Sequence, residues 1–215
     1  MDESTTREKI FKSIRNALIE RMDNPYPNVE FESSVYPPMK ELAEVTFAQE
    51  FTRVGGKFVY CEDESDMAEK LKYILAEFPY DTVFCLEEEL FPLFEDHDIQ
   101  LQTNTINFEN MVVGITLCEF LIARLGSVMV SSRNLSGRRM NVFPDIHIVI
   151  AFTSQMVDDL KDAFRMIREK YPERLPSAIT TITGPSRTAD IEKTLVMGAH
   201  GPRQLYVLLV DDNQY

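Results

Sequence analysis

Cysteine and histidine are scarce in this sequence, and their scarcity removes several kinds of chemistry. Only three of its 215 residues are cysteine and three histidine. Cys61, Cys85 and Cys118 are odd in number, widely spaced and without a C-x-x-C pair. That spacing argues against a disulfide framework, a zinc knuckle or an iron–sulfur cluster held by this chain. Two of the three sit in apolar, strand-like runs and read as inert core thiols. Positive charge is also short, with 22 Lys and Arg against 35 Asp and Glu, a net charge of −13. Nucleic acid and anionic lipid, which both require phosphate neutralisation by Lys or Arg, are therefore not expected partners. No apolar run reaches the ~18 residues of a membrane span. The start, MDESTTREK, lacks the basic-then-apolar pattern of a secretory signal, so a cytoplasmic location is expected. The H-E-x-x-H, G-x-S-x-G, Walker and G-x-G-x-x-G patterns are all missing, which removes the familiar metalloprotease, serine hydrolase, P-loop and Rossmann readings.

What remains is a globular composition, 44% apolar and 27% charged. The charge is uneven. Residues 1–119 hold 10 Lys and Arg against 25 Asp and Glu, whereas residues 120–215 hold 12 against 10. Such asymmetry points to an interaction surface, and a small anion is expected to bind in the second half.

Along the chain, Ile10, Phe11, Ile14, Leu18 and Met22 fall at helical spacing and predict an amphipathic helix over residues 5–22. Pro25, Pro27, Pro37 and Pro38 then mark a linker. Residues 1–38 are thus an N-terminal helical arm, available for packing on a second copy, and residues 39–215 the main domain. Helical and strand patterns alternate from Met39 onward. A helix stops at Gly55-Gly56, KFVYC is a strand, and a second helix carries Met67, Leu71, Ile74, Leu75 and Phe78. TVFCL is another strand, and the acidic EEELFPLFEDH is helical. SVMVSS and HIVIAF are strands. Met156 to Ile167 form an amphipathic helix ending near Tyr171-Pro172. ITTIT is a strand, GPSRTAD a turn, IEKTLVMG a helix and LYVLLV the last strand. The alternation predicts α/β architecture with a parallel sheet covered by helices.

The stretch from Thr183 to Glu192 runs from a strand through a Gly-Pro turn into the expected helix. At the carboxyl end of a parallel strand, free N–H groups at a helix start beside Arg187 suit a carboxylate or phosphate. Equally, Ser186 or Thr188 would simply cap that helix while Asp190 and Glu192 complement its dipole. Gly126-Ser127 lets a ligand approach backbone closely, or is only a bend. Arg133, Arg138 and Arg139 share one loop, and arginine forks suit anionic oxygens. The histidines are His97, in an acidic loop, His147, at a strand start, and His200, beside Gly201. Asp145 with His147, or Glu192 with His200, are candidate acid/base pairs, and each ring alternatively serves only backbone hydrogen bonds.

The run ITGPSRTADIEKTLVMGAHGPRQLYVLLV, residues 182–210, closely resembles the signature of the lactate-utilisation protein C family, the LUD domain. VVGIT, the Gly126-Ser127 turn and GRRMNVFPDIHIVIA at 137–151 fit the same family in order. The resemblance implies a three-layer parallel-sheet α/β fold like those of ribose-5-phosphate isomerase, glucosamine-6-phosphate deaminase and the coenzyme A transferases. It also implies a non-redox part in oxidising L-lactate to pyruvate, beside partner proteins carrying the iron–sulfur clusters, with no metal or cofactor of its own. The residues it carries over for ligand binding are Gly126, Ser127, Arg138, Arg139, Gly184, Ser186, Arg187, Thr188, Asp190 and Gly201, with Glu192, His200 and His147 as candidates for catalysis. One departure stands out. Many family members read Ala-Glu-Thr-Gly where this chain has Ala123-Arg124-Leu125-Gly126, and a guanidinium for a carboxylate would change the ligand a pocket tolerates. The alternative function is a stand-alone isomerase, transferase or ligase acting on a phosphorylated or coenzyme A-linked small molecule.

Overall fold

The computed structural model describes residues 5–19, 26–28, 30, 36–106, 108–136, 138–188 and 196–212. They belong to two compact units, one within Met1–Pro38 and the other Met39–Tyr215. In the first, α1 (Thr6–Ile19) is opened by a reciprocal cap. Thr5 N–H donates to Glu8 Oε2 at 2.8 Å, and Glu8 N–H donates to Thr5 Oγ1 at 3.3 Å, which satisfies two helix-end donors at once. Residues 20–22 of the expected helix, and most of the linker, lie outside the described residues.

The second unit begins with α2 (Ala43–Arg53), β1 (Lys57–Cys61), α3 (Glu64–Leu75), β2 (Val83–Cys85) and α4 (Phe91–Asp96). It continues with β3 (Val113–Thr116), β4 (Phe120–Ile122), β5 (Ser127–Ser131), β6 (Ile146–Phe152), β7 (Met156–Val157) and α5 (Leu160–Lys170). The last elements are β8 (Ile179–Ile182), β9 (Arg187–Thr188), β10 (Val196–Met197) and β11 (Gln204–Val210). A five-stranded sheet in the order β1-β11-β6-β3-β2 is parallel throughout, the α/β architecture that the alternating pattern predicts. Its central strands β6 and β11 are buried on both faces, which is why IHIVIAF and QLYVLLV are almost continuously apolar.

The two faces of that sheet are covered differently. Ile146, Ile148, Ile150, Leu208 and Val210 pack under α3 and α4 through Met67, Ala68, Leu71, Leu75 and Phe94. Val149, Ala151, Leu205, Val207 and Leu209 pack instead against Leu121, Val128 and Val130 of a second sheet, with Phe47 and Phe51 of α2 completing the layer. The second sheet has the order β7-β4-β5-β8, with β5 antiparallel to both β4 and β8. Its outer face, Phe120, Ile122 and Met129, is closed by Ala163 and Ile167 of α5. Four-residue and longer β-branched runs such as SVMVS and ITTI form these strands, but only pairing across distance assigns them to a separate sheet.

Two expected helices are corrected. Met156-Val157 is a strand paired with Leu121-Ile122, and α5 begins only at Leu160. The preceding residues satisfy the helical spacing, yet their backbone groups are taken by the sheet. Val196-Met197, expected to end a helix, pairs with Arg187-Thr188 in a two-stranded antiparallel ribbon. Ser186 O accepts from Gly198 N–H at 3.0 Å and Ser186 N–H donates to Pro202 O at 2.8 Å, so the ladder runs to the end of the ribbon. Residues 189–195 between these strands lie outside the described residues. Among the described residues no helix is long and apolar enough to cross a membrane.

Candidate functional site

The ribbon's position overturns the expected location of the GPSRT turn. That turn follows β8, which belongs to the mixed sheet, and it comes to lie beside the amino ends of β6 and β11. Arg187 and Thr188, placed by sequence at a helix start, are strand residues, so neither the helix-cap nor the helix-terminus reading holds at these two positions. Asp190 and Glu192 lie outside the described residues.

At the amino end of the parallel sheet, His147 is the second residue of β6, between Gly114 of β3 and Leu205 of β11. Its side chain points to the face covered by the mixed sheet and is fully buried. Nε2 lies 2.8 Å from Thr116 Oγ1, while Nδ1 has no hydrogen-bond partner. Burial holds the ring neutral, lowering its pKa from 6.5 to about 4. The ring lines a cavity of about 180 Å³ together with Asn141, Gly184, Ser186, His200, Gly201 and Leu205. Gly184, at φ +81°, makes the turn that closes it, because a Cβ there would stand 2.6 Å from Val54 O.

A wider depression of about 680 Å³ adjoins this cavity, with Val142, His200 and Gly201 lining both. Its rim carries Arg138 and Arg139. Arg139 O accepts from Val142 N–H at 3.0 Å and Phe143 N–H at 2.8 Å, which curls the loop so that both guanidinium groups are exposed. Arg138 Nη2 also donates to Ser177 Oγ at 2.9 Å. Asp145 faces Arg203 at 3.6 Å rather than His147, so the Asp145–His147 acid/base pair is not formed. The structure therefore brings Arg138, Arg139, His147, Gly184, Ser186, His200 and Gly201 to one end of the molecule.

Other expected site residues are elsewhere. Gly126, at φ +55°, lies under α2, where a Cβ would stand 2.3 Å from Phe51 N. Ser127 Oγ bonds Thr183 Oγ1 at 2.8 Å and Leu125 O at 3.2 Å. Both residues serve packing between β5, β8 and α2. Arg187 is exposed, with Nη2 3.5 Å from where a Cβ on Gly55 would be. Arg124 pairs with Asp159 at 2.6 Å and ties the β4–β5 corner to the start of α5, so the family departure at this position lies in an ion pair and not in the cavity.

Sequence reasoning missed Thr116, whose contact with His147 depends on which strands become neighbours. It also missed a cleft of about 600 Å³ at the carboxyl ends of the parallel strands, lined by Glu64, Glu87, Cys118, Ser154, Gln155 and Asp212 among others. Beneath it Glu119 is fully buried and accepts from Ser131 Oγ at 2.5 Å, Tyr171 OH at 3.0 Å and Lys170 Nζ at 2.7 Å. Burial opposes the charged form of Lys170, but the Glu119 bond and charge outweigh it and raise its pKa. Gln155 and Asp212 are likewise held by internal hydrogen bonds. Carboxyl-end crevices are the usual ligand sites of parallel sheets. Among the described residues the buried side-chain atoms without a partner include Ser136 Oγ, in a residue whose N–H donates to Glu87 of this cleft, and His147 Nδ1, whose ring lines a cavity at the opposite end. The thiols are buried, and burial pushes Cys61 up to about 11, Cys85 up to about 12 and Cys118 upward as well. Among the described residues no cluster of three or more His, Cys, Asp or Glu is arranged for a metal ion.

A parallel α/β sheet backed by a mixed sheet, with arginines and histidines gathered beside a cavity at its amino end, defines a layered α/β protein. The chain matches the LUD domain over residues 45–210 and belongs to that family. It is 43% identical over 101 residues to "Lactate utilization protein C" of Shouchella clausii, covering 46% of this chain and 44% of that protein. It is 36% identical over 123 residues to the protein of the same name from Bacillus subtilis, covering 56% and 51%. The matched stretches thus span about half the length of these curated relatives. A solved structure of a duf162 family protein from Deinococcus radiodurans shares the fold, with a TM-score of 0.57 at 16% identity over 78% of this chain and 96% of that one.

Proposed function

We propose that this chain is a non-redox component of lactate utilisation that binds a small carboxylate at the Arg138–Arg139 depression and works beside iron–sulfur partner proteins. The observation that carries the reading is the placement of two exposed arginines and His200 on one depression that opens onto a buried imidazole, in a chain whose net charge is −13. Paired guanidinium forks recognise a carboxylate by geometry as well as charge. The names of the relatives supply the metabolic setting. The test has two arms. Calorimetric titration of the purified chain with L-lactate and pyruvate is expected to show binding that falls at least tenfold in the Arg138→Ala, Arg139→Ala double variant. Tagged protein from lactate-grown cells is expected to co-purify with iron–sulfur proteins, and deletion of the gene to impair lactate oxidation. Normal lactate oxidation without the gene refutes the role.

The carboxyl-end cleft of about 600 Å³ favours a second reading, a stand-alone isomerase, transferase or ligase acting on a phosphorylated or coenzyme A-linked compound. It requires turnover by the purified chain alone.

A further inference from the structure

We infer that the inner cavity is the subsite for the C2 oxygen of a short 2-hydroxy or 2-oxo carboxylate, and that His147 with Thr116 recognises that oxygen in either oxidation state. The inference rests on the proposed binding of a small carboxylate at the same end of the molecule. Its ground is the one ring nitrogen of a fully buried histidine, Nδ1, that has no partner although the ring lines a cavity. Buried polar atoms are nearly always paired, so an orphan beside a cavity is a position that a ligand atom or a water completes. The space of about 180 Å³ equals the liquid share of about six waters. A three- or four-carbon acid is of the size to place its C2 oxygen there. The carboxylate of such an acid would face Arg138 and Arg139, since His200 and Gly201 border both spaces.

The Thr116–His147 pair suits both members of a hydroxy/keto couple. Thr116 Oγ1, 2.8 Å from Nε2, can donate or accept. When Thr116 donates to Nε2, the ring proton is on Nδ1 and points at a keto oxygen. When Nε2–H donates to Thr116, Nδ1 offers a lone pair to a hydroxyl. The ring stays neutral in both arrangements, and only its tautomer changes. An acid without a C2 oxygen leaves Nδ1 unpaired, and sites built around a hydrogen bond reject analogues that lack it.

The experiment is calorimetric titration of the full chain with L-lactate, pyruvate and propionate, repeated on His147→Phe and Thr116→Val. In the wild type, lactate and pyruvate are expected to bind within a few-fold of each other and propionate at least tenfold more weakly. His147→Phe should bring the three acids together. Thr116→Val removes the partner of Nε2. Because an orphaned N–H is worse than an orphaned lone pair, the proton moves to Nδ1 and the ratio shifts several-fold toward pyruvate. If His147→Phe does not fold, as judged by its near-ultraviolet circular dichroism, the Thr116→Val ratio decides. Equal binding of all three acids by the wild type, an intact preference in His147→Phe, or an unmoved ratio in Thr116→Val overturns the inference and leaves the carboxylate-binding proposal standing. Binding of none of the acids overturns both.

Discussion

Acidification should destabilise this protein through His147 alone before most carboxylates are protonated. In the folded state burial lowers the ring's pKa from 6.5 to about 4, while in the unfolded chain the ring regains its ordinary value. Between those values the unfolded state binds one proton more than the folded state, so stability is complete above about pH 6.5 and falls as pH drops toward 4. Linkage with these values gives a loss of about 2 kcal/mol between about pH 7.5 and pH 5, rising to about 3 kcal/mol below both values. The assay is urea unfolding across that range for the wild type and for His147→Gln, which carries no titrating ring. Other groups titrate alike in both proteins, so the difference between their unfolding free energies isolates the histidine. It should shrink by about 2 kcal/mol on acidification. A difference constant to within about 0.5 kcal/mol, or a His147 ring that titrates near 6.5 by NMR, would refute the claim that the folded site keeps the ring neutral.

Gly126→Ala should cost several kcal/mol and leave little soluble protein, because the new Cβ would stand 2.3 Å from Phe51 N on a backbone at φ +55°; thermal melts and soluble yield check it. Arg124→Glu replaces an ion pair with Asp159 by like charges, and should lower stability by roughly 1 kcal/mol while leaving carboxylate affinity within twofold; a large affinity change would put position 124 back in the pocket. Glu119→Ala strips Ser131, Tyr171 and Lys170 of a shared acceptor and should cost roughly 2–4 kcal/mol by chemical denaturation. The thiols, buried and with raised pKa values, should react with a disulfide reagent only on unfolding; native-state labelling within minutes would contradict their burial.

The parts of the fold legible in sequence are those whose signal is local. HIVIAF and LYVLLV declare doubly buried strands by their nearly continuous apolar runs, KFVYC declares a strand that proves to be a partly exposed edge, and Met67, Leu71 and Leu75 declare the inner face of α3 by spacing. The second sheet was not legible, because SVMVS and ITTI say that they are strands and nothing about which sheet they join. The same limit explains the ribbon. Val196 and Met197 fit a helical stripe, and only Arg187-Thr188 across the intervening loop draws them into a strand pair. At the site, Arg138, Arg139, His147, Ser186 and His200 could be named from motif and residue type. Thr116 could not, since it lies 31 positions from His147 and becomes its neighbour only through β3–β6 pairing.

The small cavity has walls from both sheets: His147 and Leu205 come from the parallel sheet, whereas Thr181 and Ile182 come from the mixed one. Its width is therefore the local spacing between two packed layers, set by remote pairs such as Val207 and Val128 in their shared core. Large-to-small changes in that core would let the layers approach, and would alter the size of ligand the cavity admits without touching a single lining residue. The interior packing of the domain is in this sense its selectivity gauge, and variation among relatives at core positions becomes a route to changing ligand size that leaves the recognising groups unchanged.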